Sequence, residues 1–125
     1  MRKVIYFLML AMIVVACSTD PAVLNSVSAE EFARIIEQDE HIQVVDVRTE
    51  GEYAKGHLPN AININIRDTA FNNKALEFLN KEYPIAVYCR SGNRSKVAGA
   101  ILMDMGYEVF ELNTGVAGWT GKVEY

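Results

Sequence analysis

A single thiol, Cys89, stands where an apolar run gives way to a polar, glycine-containing one: Val87-Tyr88-Cys89-Arg90-Ser91-Gly92-Asn93-Arg94-Ser95. The chemistry open to a cysteine in that setting is nucleophilic. Pro84 to Tyr88 reads as a strand, and Val97, Ala98, Ile101, Leu102 and Met105 share one face of a helix that begins after the loop. Cys89 therefore sits at the carboxyl end of a strand, beneath a helix start. Three effects converge there on the sulfur: unpaired N–H groups of the first helical turn, the positive end of the helix dipole, and the guanidinium groups of Arg90 and Arg94. Each favours thiolate over thiol, and such surroundings lower a cysteine pKa from about 8.5 to roughly 3.5–7.5. The competing reading is a small buried hydrophobe, the ordinary fate of a lone core cysteine; the cationic loop favours the reactive one.

The other cysteine has a different setting. Cys17 follows Met1-Arg2-Lys3 and an apolar run from Val4 to Ala16, which has the make-up of a signal peptide. At about 1.5 Å per residue that run is too short for a hydrocarbon core of about 30 Å. Val14-Val15-Ala16-Cys17 resembles a bacterial lipobox, which implies that residues 1–16 are removed and that Cys17 becomes a lipidated N-terminus. Residues 17–25 then form a tether and residues 26–125 one domain. The expected location is the bacterial cell envelope, with the lipid holding the protein to a membrane and the domain facing the periplasm or exterior.

With Cys17 given to lipid, Cys89 has no disulfide partner, and no Cys-x-x-Cys pair supports thioredoxin-like exchange. Two histidines and one usable cysteine lack metal-ligand spacing, so no metal or other cofactor is expected. The chain has 125 residues, with 16 acidic and 12 basic side chains and a net charge of −4. Losing Arg2 and Lys3 makes the balance more negative, which argues against nucleic-acid binding.

The elements that must position Cys89 follow from periodicity. Ser28 and Glu31 form a capping-box pattern before a helix to Gln38, with Phe32, Ile35 and Ile36 on its buried stripe. Gln43 to Val47 is a short apolar strand, and Thr49 to Glu52 is a second box, opening a short helix that ends at Gly56. Ala61 to Ile66 alternates strictly and reads as a half-buried edge strand. Phe71, Ala75, Phe78 and Leu79 mark a helix over about 68–80. Gly106 closes the helix after the loop, and Glu108 to Leu112 is the last strand. Strands separated by helices imply an α/β fold with a mainly parallel central sheet, and a ligand site at the strands' carboxyl ends.

Four segments in order, Val45-Asp46-Val47-Arg48, Glu52-Tyr53 with Gly56-His57-Leu58-Pro59-Asn60-Ala61, the Cys89 loop, and Gly106-Tyr107 with Gly118-Trp119, resemble the single-domain rhodanese sulfurtransferases. The resemblance implies the rhodanese-like three-layer fold, with helices on both faces of the sheet. One departure is Asn113-Thr114-Gly115, where the family usually shows a Gly-Gly pair, so the turn there is expected to differ. The implied reaction moves sulfane sulfur from a small donor, such as thiosulfate or a polysulfide, to a thiophilic acceptor through a Cys89 persulfide. That acceptor is a small molecule or a protein.

An anionic persulfide needs a cradle, and the residues from Arg90 to Ser95 (Arg90, Ser91, Gly92, Asn93, Arg94, Ser95) are its expected substrate-binding loop. Arg94, and after it Arg90, are expected to hold the oxygens of an anionic donor. Phosphatases and arsenate reductases of related fold use a loop one residue longer that ends in arginine; Ser95 stands at that position here, which disfavours phosphate. A second class remains open, a stoichiometric sulfur carrier or binding module that serves one envelope protein. Asp46, Arg48 and His57 are read as structural, and Trp119 as a core anchor. No general base is visible in sequence, and a thiolate with a lowered pKa needs none.

Overall fold

The protein is described by a computed structural model over residues 22–125. Lipidation at Cys17 and the leader before it lie outside these residues. Five strands and four helices alternate: β1 (Asn25–Val27), α1 (Ala29–Gln38), β2 (Gln43–Asp46), α2 (Glu50–Ala54), β3 (Ile62–Asn63), α3 (Phe71–Phe78), β4 (Ile85–Tyr88), α4 (Asn93–Asp104) and β5 (Val109–Leu112), followed by a 3₁₀ turn at Val116–Gly118. The sheet order is β1-β5-β4-β2-β3, and every pairing is parallel.

Strand β4 lies between β2 and β5 and is buried along its whole length. Its side chains alternate between two cores, as a period of two requires. Ile85 and Val87 join Phe71, Ala75 and Leu79 around α3 and Ala98 and Leu102 of α4, while Ala86 and Tyr88 join Phe32 of α1, Leu58 and Leu112. Helices thus cover both faces, which is the three-layer arrangement. Burying each large apolar side chain contributes about 1.5–3 kcal/mol, so the strand that delivers Cys89 is also the best anchored. Trp119 packs edge-on against Phe32, with ring centroids 6.1 Å apart, as a core anchor.

The structure corrects several boundaries. Asn25, assigned to the tether, opens β1, which pairs with Phe110 to Leu112 of β5; three residues with a largely exposed pattern carry too little periodicity to announce a strand. The alternating run 61–66 keeps only Ile62 and Asn63 in ladder register, at the sheet edge as expected. Helix α3 starts at Phe71 rather than 68, because Asp68 closes a turn there, accepting from the Ala70 N–H at 2.9 Å. Phe78 and Val97, counted on buried faces, are 54% and 57% exposed. In α4 the inward stripe is instead Ser95, Ala98, Gly99 and Leu102. The box at Ser28 is half made: its hydroxyl accepts from the Glu31 N–H at 3.2 Å, but the Glu31 carboxylate turns to Arg34. The Thr49–Glu52 box is complete.

Candidate active site at the end of strand β4

Cys89 follows β4 directly and α4 begins four residues later, so the loop between them has little freedom. Gly92, the N-cap of α4, has φ of 96°, and a Cβ there would lie 2.3 Å from the Asn113 carbonyl oxygen. Only glycine meets both conditions. The turn folds the loop's amides inward, and the Gly92 N–H donates to Cys89 Sγ at 3.1 Å.

Burial pushes the Cys89 thiol pKa up, but its hydrogen bond with the Ser95 side chain, 3.3 Å away, and the backbone N–H groups of Ser95, Gly92 and Ser91 outweigh it, so the net shift is downward. The Gly92 amide hydrogen-bonds the sulfur, and those of Ser91 and Ser95 help to hold its pKa down. The residue is 1% exposed and lies on the loop's floor. Among the described residues it is the free cysteine.

Arg94 is near enough for its charge to interact with that of Cys89, but its guanidinium is occupied. Its Nη1 and Nη2 donate to Glu52 Oε1 and Oε2 at 2.7 and 2.9 Å. Glu52 is the N3 residue of the α2 capping box, so one carboxylate caps a helix and holds the loop arginine. The Arg94 hydrogen bonds carry the Glu52 pKa down to about 2. Arg90 is exposed and shares a shallow cleft with Arg48, Glu52, Lys55, Val116 and Ala117. Ser91 and Asn93 are exposed along the rim, and Ser95 is buried.

Asp46, Arg48 and His57 lie in a hydrogen-bonded framework behind the loop. Arg48 donates from Nε and Nη2 to the Asp46 carboxylate at 2.7–3.1 Å, and from Nη2 to the Gly56 carbonyl at 2.7 Å. The Tyr88 hydroxyl donates to Asp46 Oδ2 at 2.8 Å and accepts from the Leu58 N–H at 3.0 Å. His57 stacks on Tyr53 with ring centroids 3.7 Å apart, and its Nδ1 is 3.0 Å from the Tyr53 carbonyl oxygen. None of the three touches the sulfur.

Two parts of the site escape sequence reasoning. The first is the turn after β5. Gly115 has φ of 61°, a Cβ there would lie 2.2 Å from the Arg90 carbonyl oxygen, and the next two amides donate to the Cys89 and Arg90 carbonyls at 2.8 and 3.0 Å. One of the two family glycines is thus enough to prop the cysteine loop. Thr114 occupies the other place without a positive φ. The second is Glu111, whose carboxylate is fully buried beneath the loop and accepts from Ser95 Oγ at 2.8 Å. Its only signal in sequence was an acid two residues after Val109 in an otherwise apolar parallel strand.

A parallel sheet with a cysteine and an amide cradle at the carboxyl end of its central strand meets its relatives at this point. The rhodanese-like domain family matches residues 28–122. The chain belongs to that family. A putative sulfur carrier protein, YrkF of Bacillus subtilis, is 31% identical over 108 residues, which cover 86% of this chain and 57% of that protein. A sulfurtransferase of Allochromatium vinosum is 31% identical over 97 residues, covering 77% of this chain and 88% of its own. Among solved structures, a rhodanese-related protein from Thermoplasma volcanium is 28% identical, with a TM-score of 0.70, over 80% of this chain and 97% of that one. The rhodanese relatives thus include proteins named for both sulfur transfer and sulfur carriage.

Proposed function

We propose that the protein is a sulfurtransferase that takes sulfane sulfur from a donor such as thiosulfate or a polysulfide onto Cys89 and passes it to a thiophilic acceptor. The observation that carries this reading is a free cysteine at the end of the central strand whose sulfur accepts from the Gly92 N–H at 3.1 Å and whose pKa the loop holds down. A thiolate attacks the donor's outer sulfur, the donor's leaving group departs with the bonding pair, and the persulfide that remains is an anion the loop's amides hold. A sulfur at 1% exposure suits an atom-sized guest better than a tetrahedral phosphate, and Ser95 stands where a phosphate clamp needs arginine.

Purified protein treated with thiosulfate is expected to gain one sulfur atom on Cys89, releasable by cyanide, and Cys89→Ser is expected to gain none. An unchanged mass together with hydrolysis of phosphate esters would sink the reading. The likeness to a named sulfur carrier supports a second reading, stoichiometric carriage to a protein acceptor. Loading without repeated turnover on small acceptors, followed by rapid discharge to one envelope protein, decides for it. The leader pattern before Cys17 supports a lipid anchor in the bacterial envelope; palmitate labelling that survives Cys17→Ala would exclude it.

A further inference from the structure

Glu111 is a fully buried acid that the scheme above leaves without a task. It stands in phase with Val109 on β5 and so points toward α4 rather than solvent. Its Oε2 accepts from the Ser26 hydroxyl at 2.6 Å, its Oε1 accepts from Ser95 Oγ at 2.8 Å, and Lys96 Nζ lies 3.5 Å from the same Oε1. Ser95 Oγ in turn lies 3.3 Å from Cys89 Sγ.

A serine hydroxyl has one hydrogen and two lone pairs. With that hydrogen given to Glu111, Ser95 can offer the sulfur only a lone pair, and the thiol S–H must be the donor. The groups then form one unbroken line, S–H to O–H to carboxylate.

We propose that Glu111 is a positioning residue that, through Ser95, takes up the Cys89 proton and later returns it. In the forward step the S–H bond breaks as a new Ser95 O–H forms, while the hydrogen already on Ser95 moves to Glu111 Oε1. No electrons change hands, and one negative charge moves from carboxylate to sulfur. The new Ser95 O–H then faces the thiolate alongside the amides.

Resting on the sulfurtransferase reading, the thiolate pair forms the bond to the donor's outer sulfur, and the donor's old bond leaves with its pair. When the acceptor removes that sulfur, the S–S pair falls back on Cys89 and the proton returns from Glu111 through Ser95. The charged groups facing the line are Lys96 of α4, beside the carboxylate, and Arg94, whose charge reaches Cys89 while its guanidinium bonds Glu52; β1 contributes the neutral Ser26.

The test is the rate of Cys89 alkylation by iodoacetamide against pH, in the whole protein and in Glu111→Gln, which keeps the side chain's size and an acceptor oxygen. A carboxylate that takes up the thiol proton lets Cys89 react at a pH where an unaided thiol is nearly silent. Glu111→Gln should therefore lose about 10²-fold in alkylation rate and in sulfur loading at the acid end, and approach the parent at alkaline pH, where hydroxide removes the proton. Ser95→Ala should lose comparably and Ser95→Thr should recover the rate, a comparison that decides the matter if Glu111→Gln does not fold. Acid-end rates unchanged in Glu111→Gln or in Ser95→Ala would overturn the proposal. Alkylation needs no sulfur donor. Acid-end losses in the variants of a protein that never forms a persulfide would therefore reject the sulfurtransferase reading and leave the proton relay standing.

Discussion

Arg94 meets Glu52 through two parallel hydrogen bonds, so the helix that follows the cysteine loop is tied across the mouth of the cleft to the first turn of α2. The pair joins segments 42 residues apart in sequence. It fixes the loop's outer end while Gly115 fixes its floor.

The tie predicts an acid-sensitive fold. Glu52 has its pKa lowered to about 2 by Arg94, so its contribution to stability is complete above the ordinary carboxylate pKa and is lost as pH falls from about 4.5 toward 2. With 31% of the Glu52 side chain facing water, the contribution is about 1 kcal/mol rather than the full linkage value. Urea midpoints for the parent and Glu52→Gln at pH 6 and at pH 2.5 check this: the parent should lose more stability on acidification than the variant, and equal losses would show that the pair contributes nothing.

The turn after β5 gives the second prediction. A methyl group at Gly115 meets the Arg90 carbonyl and the Ser91 nitrogen within 2.5 Å on a backbone of positive φ. Gly115→Ala should destabilise the domain by about 2 kcal/mol or more and slow Cys89 alkylation, because it displaces the loop itself. Thr114→Gly, which restores the family's pair, should change stability by less than about 1 kcal/mol. Thermal melts and alkylation rates of the two variants side by side separate the roles, and comparable losses in both would contradict them.

The buried network gives a third. Asp46 is 0% exposed and carries both the Arg48 guanidinium and the Tyr88 hydroxyl, whose pKa burial and the neighbouring carboxylate push upward. Asp46→Ala strands a buried cation and should cost about 3–5 kcal/mol. The double change Asp46→Leu with Arg48→Met removes both charges and should cost clearly less than the single one. Denaturant midpoints measure the difference, and additive losses would mean that the two residues do not act as a pair.

The parallel sheet was legible because its strands are short apolar runs between capped helices, and the Cys89 loop was legible because thiol, glycine and arginines fall within one turn of chain. What was hidden depends on distant partners. Nothing local to Arg94 says that its guanidinium is spoken for, since Glu52 lies in another helix and looks like a capping residue, which it also is. Val97 has the spacing of a core residue, but Gly99 sets the helix's close approach: a Cβ there would lie 2.9 Å from Leu24, so α4 turns its Ser95–Leu102 stripe inward and leaves Val97 outside. Glu111 drew no reading of its own on the last strand, because β1 and α4 together enclose it, and β1 is too short to see in sequence.

On the proposed reading with an anionic donor, and with Arg94 committed to Glu52, attraction of that donor is expected from the cations left at the rim. Arg90 and Lys55 line the same cleft, and among the described residues neither forms an ion pair. Both are exposed, so their attraction for an anion is modest and screened by salt over about 8–10 Å. Arg90→Ala should raise the KM for thiosulfate about two- to fivefold while leaving kcat within a factor of about two, an effect of the size that exposed charges give. The rise should shrink at high ionic strength and be absent with an uncharged sulfane-sulfur donor. Arg94→Ala should behave differently: loosening the loop's outer end should lower kcat with every donor, because the fault then lies in the placement of Cys89 rather than in attraction of the anion. Steady-state kinetics of the two variants with a charged and an uncharged donor, at low and high salt, distinguish the assignments. A selective loss of thiosulfate affinity in Arg94→Ala, with none in Arg90→Ala, would return donor binding to Arg94.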